Sequence, residues 1–274
     1  MSPRASSDDG RLRCRTVFIS DVHLGFKGCR AADLLEFLEQ VECEQLYLVG
    51  DIVDLWALQR RFYWPIEHND VLRAILDKAR HGIRVIYVPG NHDRPFRDYD
   101  GWVIGRVEIA RETVHETADG RRLLVRHGDE FDSVIRASPW LGSLGNRAYA
   151  FVLRLNRHVN AVRQRFGYPY WSLAAFLKHK VKNAVQYIAN FERAVAVEAR
   201  RLGVDGMVCG HIHRPEIREI DGVTYCNDGD WVESCSALIE DHDGRLRLIH
   251  WTEHAHALSA DGPGDGAASL DRAA

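Results

Sequence analysis

The chain has 274 residues, 46% of them hydrophobic and 27% charged, with a formal net charge of −3. That is the composition of a soluble globular protein able to bury a sizeable core, in one large domain or two small ones. It excludes a spanning helix, because no apolar run nears ~20 residues, and residues 1–15 are polar, without the apolar run of a secretory signal. Cys14, Cys29, Cys43, Cys209, Cys226 and Cys235 form no CxxC pair, so reduced structural thiols in a cytosolic protein are expected.

Residues 1–15 and 256–274 read as disordered ends, and the glycines of 261–266 lack the strand and helix that a nucleotide loop needs. Between them, short apolar runs alternate with amphipathic stretches. Residues 16–20, 46–49, 85–88, 123–126 and 206–209 read as buried strands. Residues 33–41 and 69–80 carry helical apolar spacing, the second ending at Gly82. Asp119-Gly120 and Asp243-Gly244 are hairpin turns between β-forming runs. The alternation predicts an α/β layered fold, a β-sandwich flanked by helices, over 16–255.

Residues 134–202 differ in character. Leu173, Leu177, Val181, Val185, Ile188, Phe191, Val195, Ala199 and Leu202 recur at steps of three and four, which predicts one long helix or two in near continuity. An aromatic connector, residues 167–171, precedes it. Over 131–200 there are eleven Lys or Arg against three acidic residues, a balance of +8, so the remainder carries −11. A basic insertion in an acidic protein suits an anionic partner, although a solvated helical surface would read the same way. Its position predicts a helical lid over the site described next.

Each apolar strand ends just before a polar block. The blocks are Asp21-Val22-His23, Gly50-Asp51-Ile52-Val53-Asp54, Gly90-Asn91-His92-Asp93, His127-Gly128-Asp129 and Gly210-His211-Ile212-His213. Residues just past strand ends are where α/β sheets place their sites. Carboxylate, amide and imidazole donors without thiolate suit Mn²⁺, Fe or Zn. Enough are present for two adjacent divalent ions, a pair that activates water and clamps phosphate.

These five ordered blocks resemble the calcineurin-like metallophosphoesterase superfamily, over residues 16–251. The resemblance implies a four-layer α/β/β/α sandwich around a dinuclear centre, with Mn²⁺ the expected ion. It implies that Asp21, His23 and His213 hold one metal, that Asn91, His127 and His211 hold the other, and that Asp51 bridges them. His92 is then the catalytic group beside the scissile phosphate, with Asp54 and Asp93 orienting the ligands from behind. The other histidines (68, 81, 115, 158, 179, 242, 250, 254 and 256) are expected on the surface or in structural hydrogen bonds.

Three blocks, with the residues that flank them, carry a narrower likeness: Ser20-Asp21-Val22-His23-Leu24, residues 50–56 and His211-Ile212-His213-Arg214-Pro215. They resemble the UDP-2,3-diacylglucosamine pyrophosphohydrolase family of lipid A synthesis, which also carries a basic helical insertion. That likeness implies cleavage of a nucleotide-linked lipid pyrophosphate to UMP and a lipid sugar phosphate, at the inner leaflet of the membrane and without nucleic acid. In that family Arg usually follows the metal-binding Asn; here the position is His92, as in a divergent branch. Arg154, Arg157, Lys178 and Lys182 are the candidate phosphate contacts of the lid. Two other readings stand beside it: a soluble phosphodiesterase, phosphatase or nuclease using the basic insertion on another substrate, and a non-catalytic metal-binding module.

Overall fold

The computed structural model describes residues 11–133 and 173–253, and between 173 and 184 the backbone alone. Its first half runs β1 (Leu12–Arg13), β2 (Thr16–Ile19), α1 (Ala31–Gln40), β3 (Val41–Glu42), β4 (Gln45–Leu48), α2 (Leu55–Arg60), α3 (Ile66–Arg80) and β5 (Arg84–Tyr87). A short edge hairpin follows, β6 (Val103–Ile104) and β7 (Val107–Ile109), then a second hairpin, β8 (Thr113–Glu116) and β9 (Arg122–Val125). After the long helix α4 (Leu173–Leu202) come β10 (Gly206–Cys209), β11 (Glu216–Ile220), β12 (Val223–Asn227), β13 (Ser236–Glu240) and β14 (Leu246–His250).

Two mixed sheets form, a seven-stranded one ordered β14-β13-β2-β4-β5-β7-β6 and a five-stranded one ordered β11-β12-β10-β9-β8. β2, β4, β5 and β7 are mutually parallel in the first; β9, β10 and β12 are parallel in the second. Strand alternation explains why their sequences are apolar throughout. Val17 and Ile19 of β2, Leu46 and Leu48 of β4, and Val85 and Tyr87 of β5 face α1 and α3. Phe18, Tyr47 and Ile86, from the same strands, face the other sheet and meet Leu123, Val125, Val208 and Cys226. Strands covered on both faces have no polar side to show.

The fourth layer is α4. Phe191, Val195, Ala196 and Ala199 are buried against Met207, Cys209 and Tyr225 of the second sheet. This corrects the sequence-based limit of the lid: from Phe191 onward the apolar stripe belongs to the sandwich itself, because β10 and β12 need cover on their outer face. The rest of the expected lid, 134–172, lies outside the described residues, as do Arg154 and Arg157. Lys178 and Lys182 fall on α4 where only backbone is described. Residues 1–10 and 254–274 also lie outside.

Of the expected disorder of residues 1–15, the part over 11–15 needs correction as well. β1 pairs in parallel with β3, Leu12 and Cys14 are buried, and the Arg15 N–H donates to the Glu240 carbonyl. Two apolar side chains two residues apart are enough to hold this polar-looking segment on the body. All six cysteines are free thiols, and four of them are buried.

Glu240, fully buried at the end of β13, ties several segments together. It accepts from Arg15 Nη1 at 2.8 Å, Thr16 Oγ1 at 2.8 Å and the Ala118 N–H at 2.6 Å, and meets His115 Nε2 at 2.8 Å. Burial alone would raise its carboxyl, but the hydrogen bonds from His115, Ala118 and Thr16 hold it down at about 2. A depressed carboxylate stabilises the fold fully above its unfolded value near 4.5 and loses that contribution as pH falls through about 2. Glu240→Gln is therefore expected to lower stability by about 3 kcal/mol at neutral pH. Urea midpoints of wild type and variant should converge as pH drops from about 4.5 toward 2; a difference that stays constant with pH would refute this.

Candidate metal centre

All five polar blocks meet at one edge of the sandwich, at the C-terminal ends of β2, β4, β5, β9 and β10. The first two loops are laced together: Asp21 N–H donates to the Gly50 carbonyl at 3.0 Å, His23 N–H to Asp51 at 2.9 Å and Leu24 N–H to Ile52 at 2.9 Å. The chain turns sharply here. Of the eight non-glycine residues with positive φ among those described, five are Asp21, His23, Asp51, His211 and His213. Such conformations cost on the order of 1–3 kcal/mol each and persist where surrounding structure enforces them. The glycines of the blocks make the close approach possible. A Cβ on Gly50, which also has φ +87°, would overlap the His127 imidazole, and one on Gly210 would overlap Ser20 Oγ and the Asp21 carboxylate.

Three overlapping groups of donors result, each with its ligand atoms within 4.8 Å of one another: Asp21, His23 and His213; Asp21, Asp51 and His127; His23, Asp54 and His92. Asp21 Oδ1 lies 3.0 Å from His213 Nε2 and 3.8 Å from His23 Nε2, and Asp51 Oδ2 lies 3.4 Å from His127 Nε2. Asn91 follows Gly90, whose Cα backs directly onto Asp51 and the His127 ring. Buried atoms without a hydrogen-bond partner include Asp21 Oδ1, His23 Nε2, Asn91 Oδ1 and His127 Nε2. Leaving one such atom unpaired costs about 1–3 kcal/mol. Four in one place, all of them lone-pair donors, fit a bound cation pair.

The ring nitrogens that do have partners show which ones remain for ligation. His127 Nδ1 meets the Val49 carbonyl at 2.8 Å, so it carries the proton and leaves the Nε2 lone pair free. His23 Nδ1 meets Asp54 Oδ2 at 3.2 Å, with the same consequence. Asp54 serves twice, since Oδ1 meets His92 Nδ1 at 2.9 Å and also caps α2 by accepting from Ala57 N–H. Burial would raise Asp54, but hydrogen bonds from His23, His92 and Ala57 hold it well below the usual carboxylate range. For Asp21, too, burial would raise the carboxyl, and the positive charge of His213 beside it keeps it well below. His127 moves the other way: burial opposes its charge, yet Asp51 and Asp21 raise it well above an ordinary imidazole. A metal would thus displace protons from the imidazoles, the carboxylates being held in their charged form already.

Asp93 is placed differently from Asp54. Its carboxylate accepts from the Ile52 N–H at 2.8 Å, the Gly90 N–H at 2.5 Å and the Tyr87 hydroxyl, so it braces backbone loops and not an imidazole. His92 is partly exposed, its side chain 25% accessible against 37% for His213. Its backbone N–H donates to Asp51 Oδ1 at 2.8 Å, and its ring packs on the half-exposed Trp56 with centroids 4.3 Å apart.

His211 is the one predicted ligand drawn elsewhere. Its N–H donates to Asp21 Oδ2 at 2.8 Å, but its ring nitrogen Nε2 meets Asp132 Oδ2 at 3.0 Å. Sequence reasoning missed Asp132, and it missed the loop after β12. There Asp228 is fully buried, its Oδ1 2.6 Å from Ser20 Oγ, which lies 2.6 Å from Asp21 Oδ2. One hydroxyl hydrogen serves only one carboxylate, and burial and the charge of Asp21 push the Asp228 carboxyl well above its usual range. The signal was present, because Asn227-Asp228-Gly229-Asp230 is a sixth polar block past a buried strand. Of the histidines expected to be structural, His68 is buried and accepts from the Gly25 N–H, and His115 joins the Glu240 network.

The chain is similar to known proteins. Residues 14–215 match the family model described as calcineurin-like phosphoesterase. A UDP-2,3-diacylglucosamine hydrolase from Xanthomonas campestris is 28% identical, over 84% of this chain and 96% of its own. One of the same name from Photorhabdus laumondii is 24% identical, over 75% of this chain and 84% of its own. Among solved structures, an archaeal phosphodiesterase aligns with a TM-score of 0.42 at 14% identity, covering 85% of this chain and 98% of that one. Vacuolar protein sorting 29 from Cryptosporidium parvum aligns with a TM-score of 0.41 at 13% identity, covering 85% and 94%.

Proposed function

Because the chain belongs to the calcineurin-like phosphoesterase family and is a phosphoester hydrolase, we propose that it cleaves the pyrophosphate of UDP-2,3-diacylglucosamine or a closely related nucleotide-linked lipid. The observation that carries the chemistry is the set of four unpartnered buried donors, Asp21 Oδ1, His23 Nε2, Asn91 Oδ1 and His127 Nε2. In this reading Asp21, His23 and His213 hold one divalent ion, Asn91, His127 and His211 hold a second, and Asp51 joins them. Oxygen and imidazole donors make Mn²⁺ the first choice, with Fe or Zn accepted by the same set. When bound, such a pair activates water and neutralises charge on the phosphoryl oxygens.

The side chains divide the remaining work. Asp54 orients His23 and His92 together, so a ligand and a catalytic ring share one rigid support. His92, accessible and backed by a carboxylate, is placed to donate its Nε2 proton to the oxygen that leaves phosphorus. Water adds to one phosphorus, the bridging P–O bond breaks, and the departing phosphate takes that proton. The products are UMP and a lipid sugar phosphate.

The lipid is supported by similarity to the hydrolases from Xanthomonas and Photorhabdus and by the +8 insertion, in which Arg154, Arg157, Lys178 and Lys182 would meet the phosphates. The body adds a compatible surface: exposed Trp56 packs on His92, and exposed Phe26 and Phe62 are next in sequence to Lys27 and Arg61. That mixture suits the anionic inner face of a membrane, where the protein would sit peripherally. No described helix is long and apolar enough to cross one.

The test is a panel of UDP-2,3-diacylglucosamine, simple phosphodiesters and nucleotides against enzyme loaded with Mn²⁺, Fe²⁺ or Zn²⁺. UMP should be released from the lipid substrate with a kcat/KM at least about tenfold above any other, a margin of about 1.4 kcal/mol. Strong phosphodiesterase activity without UMP release would sink the lipid assignment and leave the reaction class standing.

A further inference from the structure

Asp132 closes the turn that follows the fourth block, Asp129–Ser133, and it makes two contacts that belong to different parts of the molecule. One carboxylate oxygen, Oδ2, meets His211 Nε2 at 3.0 Å. The other, Oδ1, accepts the hydroxyl of Tyr187. Tyr187 projects from α4, one turn before Phe191, and Phe191 packs both on Phe131, beside Asp132, and on the His211 ring. The same helix runs back without a break to Leu173, toward the basic insertion.

We propose that Asp132 and Tyr187 form a positioning relay that sets His211 as a ligand of the second metal and couples its occupancy to the docking of α4. The inference rests on the two-metal reading above. Its logic is tautomeric. A carboxylate on Nε2 holds the proton there, so His211 can ligate only through Nδ1. Two other ligand imidazoles, His23 and His127, do the reverse: their Nδ1 has the partner and Nε2 is presented. His211 also sits in left-handed backbone, φ +69°, so its ring has no regular element to orient it. Asp132 supplies that orientation, and Tyr187 orients Asp132. Because the Tyr187 hydroxyl comes from α4, a shift of the helix changes the support of His211. By linkage, filling the second metal position steadies the helix in return.

Stepwise Mn²⁺ titration of the full-length protein by calorimetry, with electron paramagnetic resonance on the same samples, tests the relay. In Asp132→Ala the weaker of the two affinities should fall roughly 10–100-fold, as for other partners of metal-bound histidines, while the tighter one is unchanged. Asp132→Asn, which keeps an acceptor but not the charge, should fall between, and Tyr187→Phe should lose several-fold. The exchange-coupled dinuclear signal should give way to a mononuclear one at equal Mn²⁺. Hydrogen exchange over α4 should slow on metal binding in the wild type and less in Tyr187→Phe. Unchanged weaker affinity in Asp132→Ala, or equal loss of both ions, would overturn the relay alone. A wild type that takes up fewer than two ions would overturn the two-metal reading along with it. Tyr187→Phe removes one oxygen from a half-buried ring, so it keeps the test readable should Asp132→Ala fold poorly.

Discussion

Asp51→Asn is expected to abolish hydrolysis while leaving the fold intact. Asp51 is buried among the donors, with Oδ2 3.4 Å from His127 Nε2 and Oδ1 accepting the His92 N–H at 2.8 Å. Asparagine has the same shape and can keep the bond to His92, but it brings no charge to share between two cations. Activity should fall by roughly 10⁴-fold, equivalent to about 5.5 kcal/mol of barrier, and metal content should drop from two ions to one or none. The metal-free variant should be less stable than metal-free wild type, since the charge and hydrogen bond of His127 outweigh burial and hold the Asp51 carboxyl below its ordinary value. A variant that keeps more than a tenth of wild-type kcat/KM, with two ions bound, would remove Asp51 from the proposed role.

His92→Ala should separate catalysis from metal binding. The ring is partly exposed, Asp54 holds it at 2.9 Å, and none of its neighbours depends on it alone, because Asp54 retains His23 and the Ala57 N–H. Both metals should stay bound. Loss of a general acid typically costs about 10²–10⁴-fold, and kcat should fall in that range with little change in KM. The leaving group decides what the residue does. If His92 gives a proton to the departing oxygen, a p-nitrophenyl ester, which leaves without one, should lose far less than the nucleotide-linked lipid. An equal loss for both substrates would mean that the ring stabilises charge on the phosphoryl group and is not the acid.

The stretches that were most legible in the sequence are those where a single local rule sets the outcome. β2, β4, β5, β9 and β10 lie within one residue of the apolar runs that announced them, because sheets covered on both faces tolerate no polar alternation. The Asp119-Gly120 and Asp243-Gly244 turns join antiparallel strands, as their dipeptides require. α3 begins three residues earlier than its spacing suggested, at Ile66 just behind Pro65, where proline serves as a start signal and not a barrier. α2, six residues with no buried side chain, has no periodicity to read; Asp54 caps it, and that carboxylate was noticed only for its chemistry.

The site divides in the same way. Asp21, His23, Asp51, Asn91, His92, His127 and His213 could be named from the chain because each follows a buried strand, and these strands of the two sheets end at one edge. His211 was found by the same rule, but its tautomer could not be. That depends on Asp132, 79 positions away, and on Tyr187 from a helix whose C-terminal half turned out to be a layer of the sandwich. Asp228 acts on Asp21 through Ser20 across more than 200 residues.

What the sequence determined by itself is therefore the reaction class, through its likeness to a known family, and which candidate donors stand at the ends of strands that their own hydrophobicity defines. What only the tertiary structure decided is which atom of each donor is free. A ring nitrogen or carboxylate oxygen becomes a ligand when its other face is occupied, and those second partners, Val49, Asp54, Asp132 and Ser20 with Asp228, are brought up by packing between elements far apart in the chain.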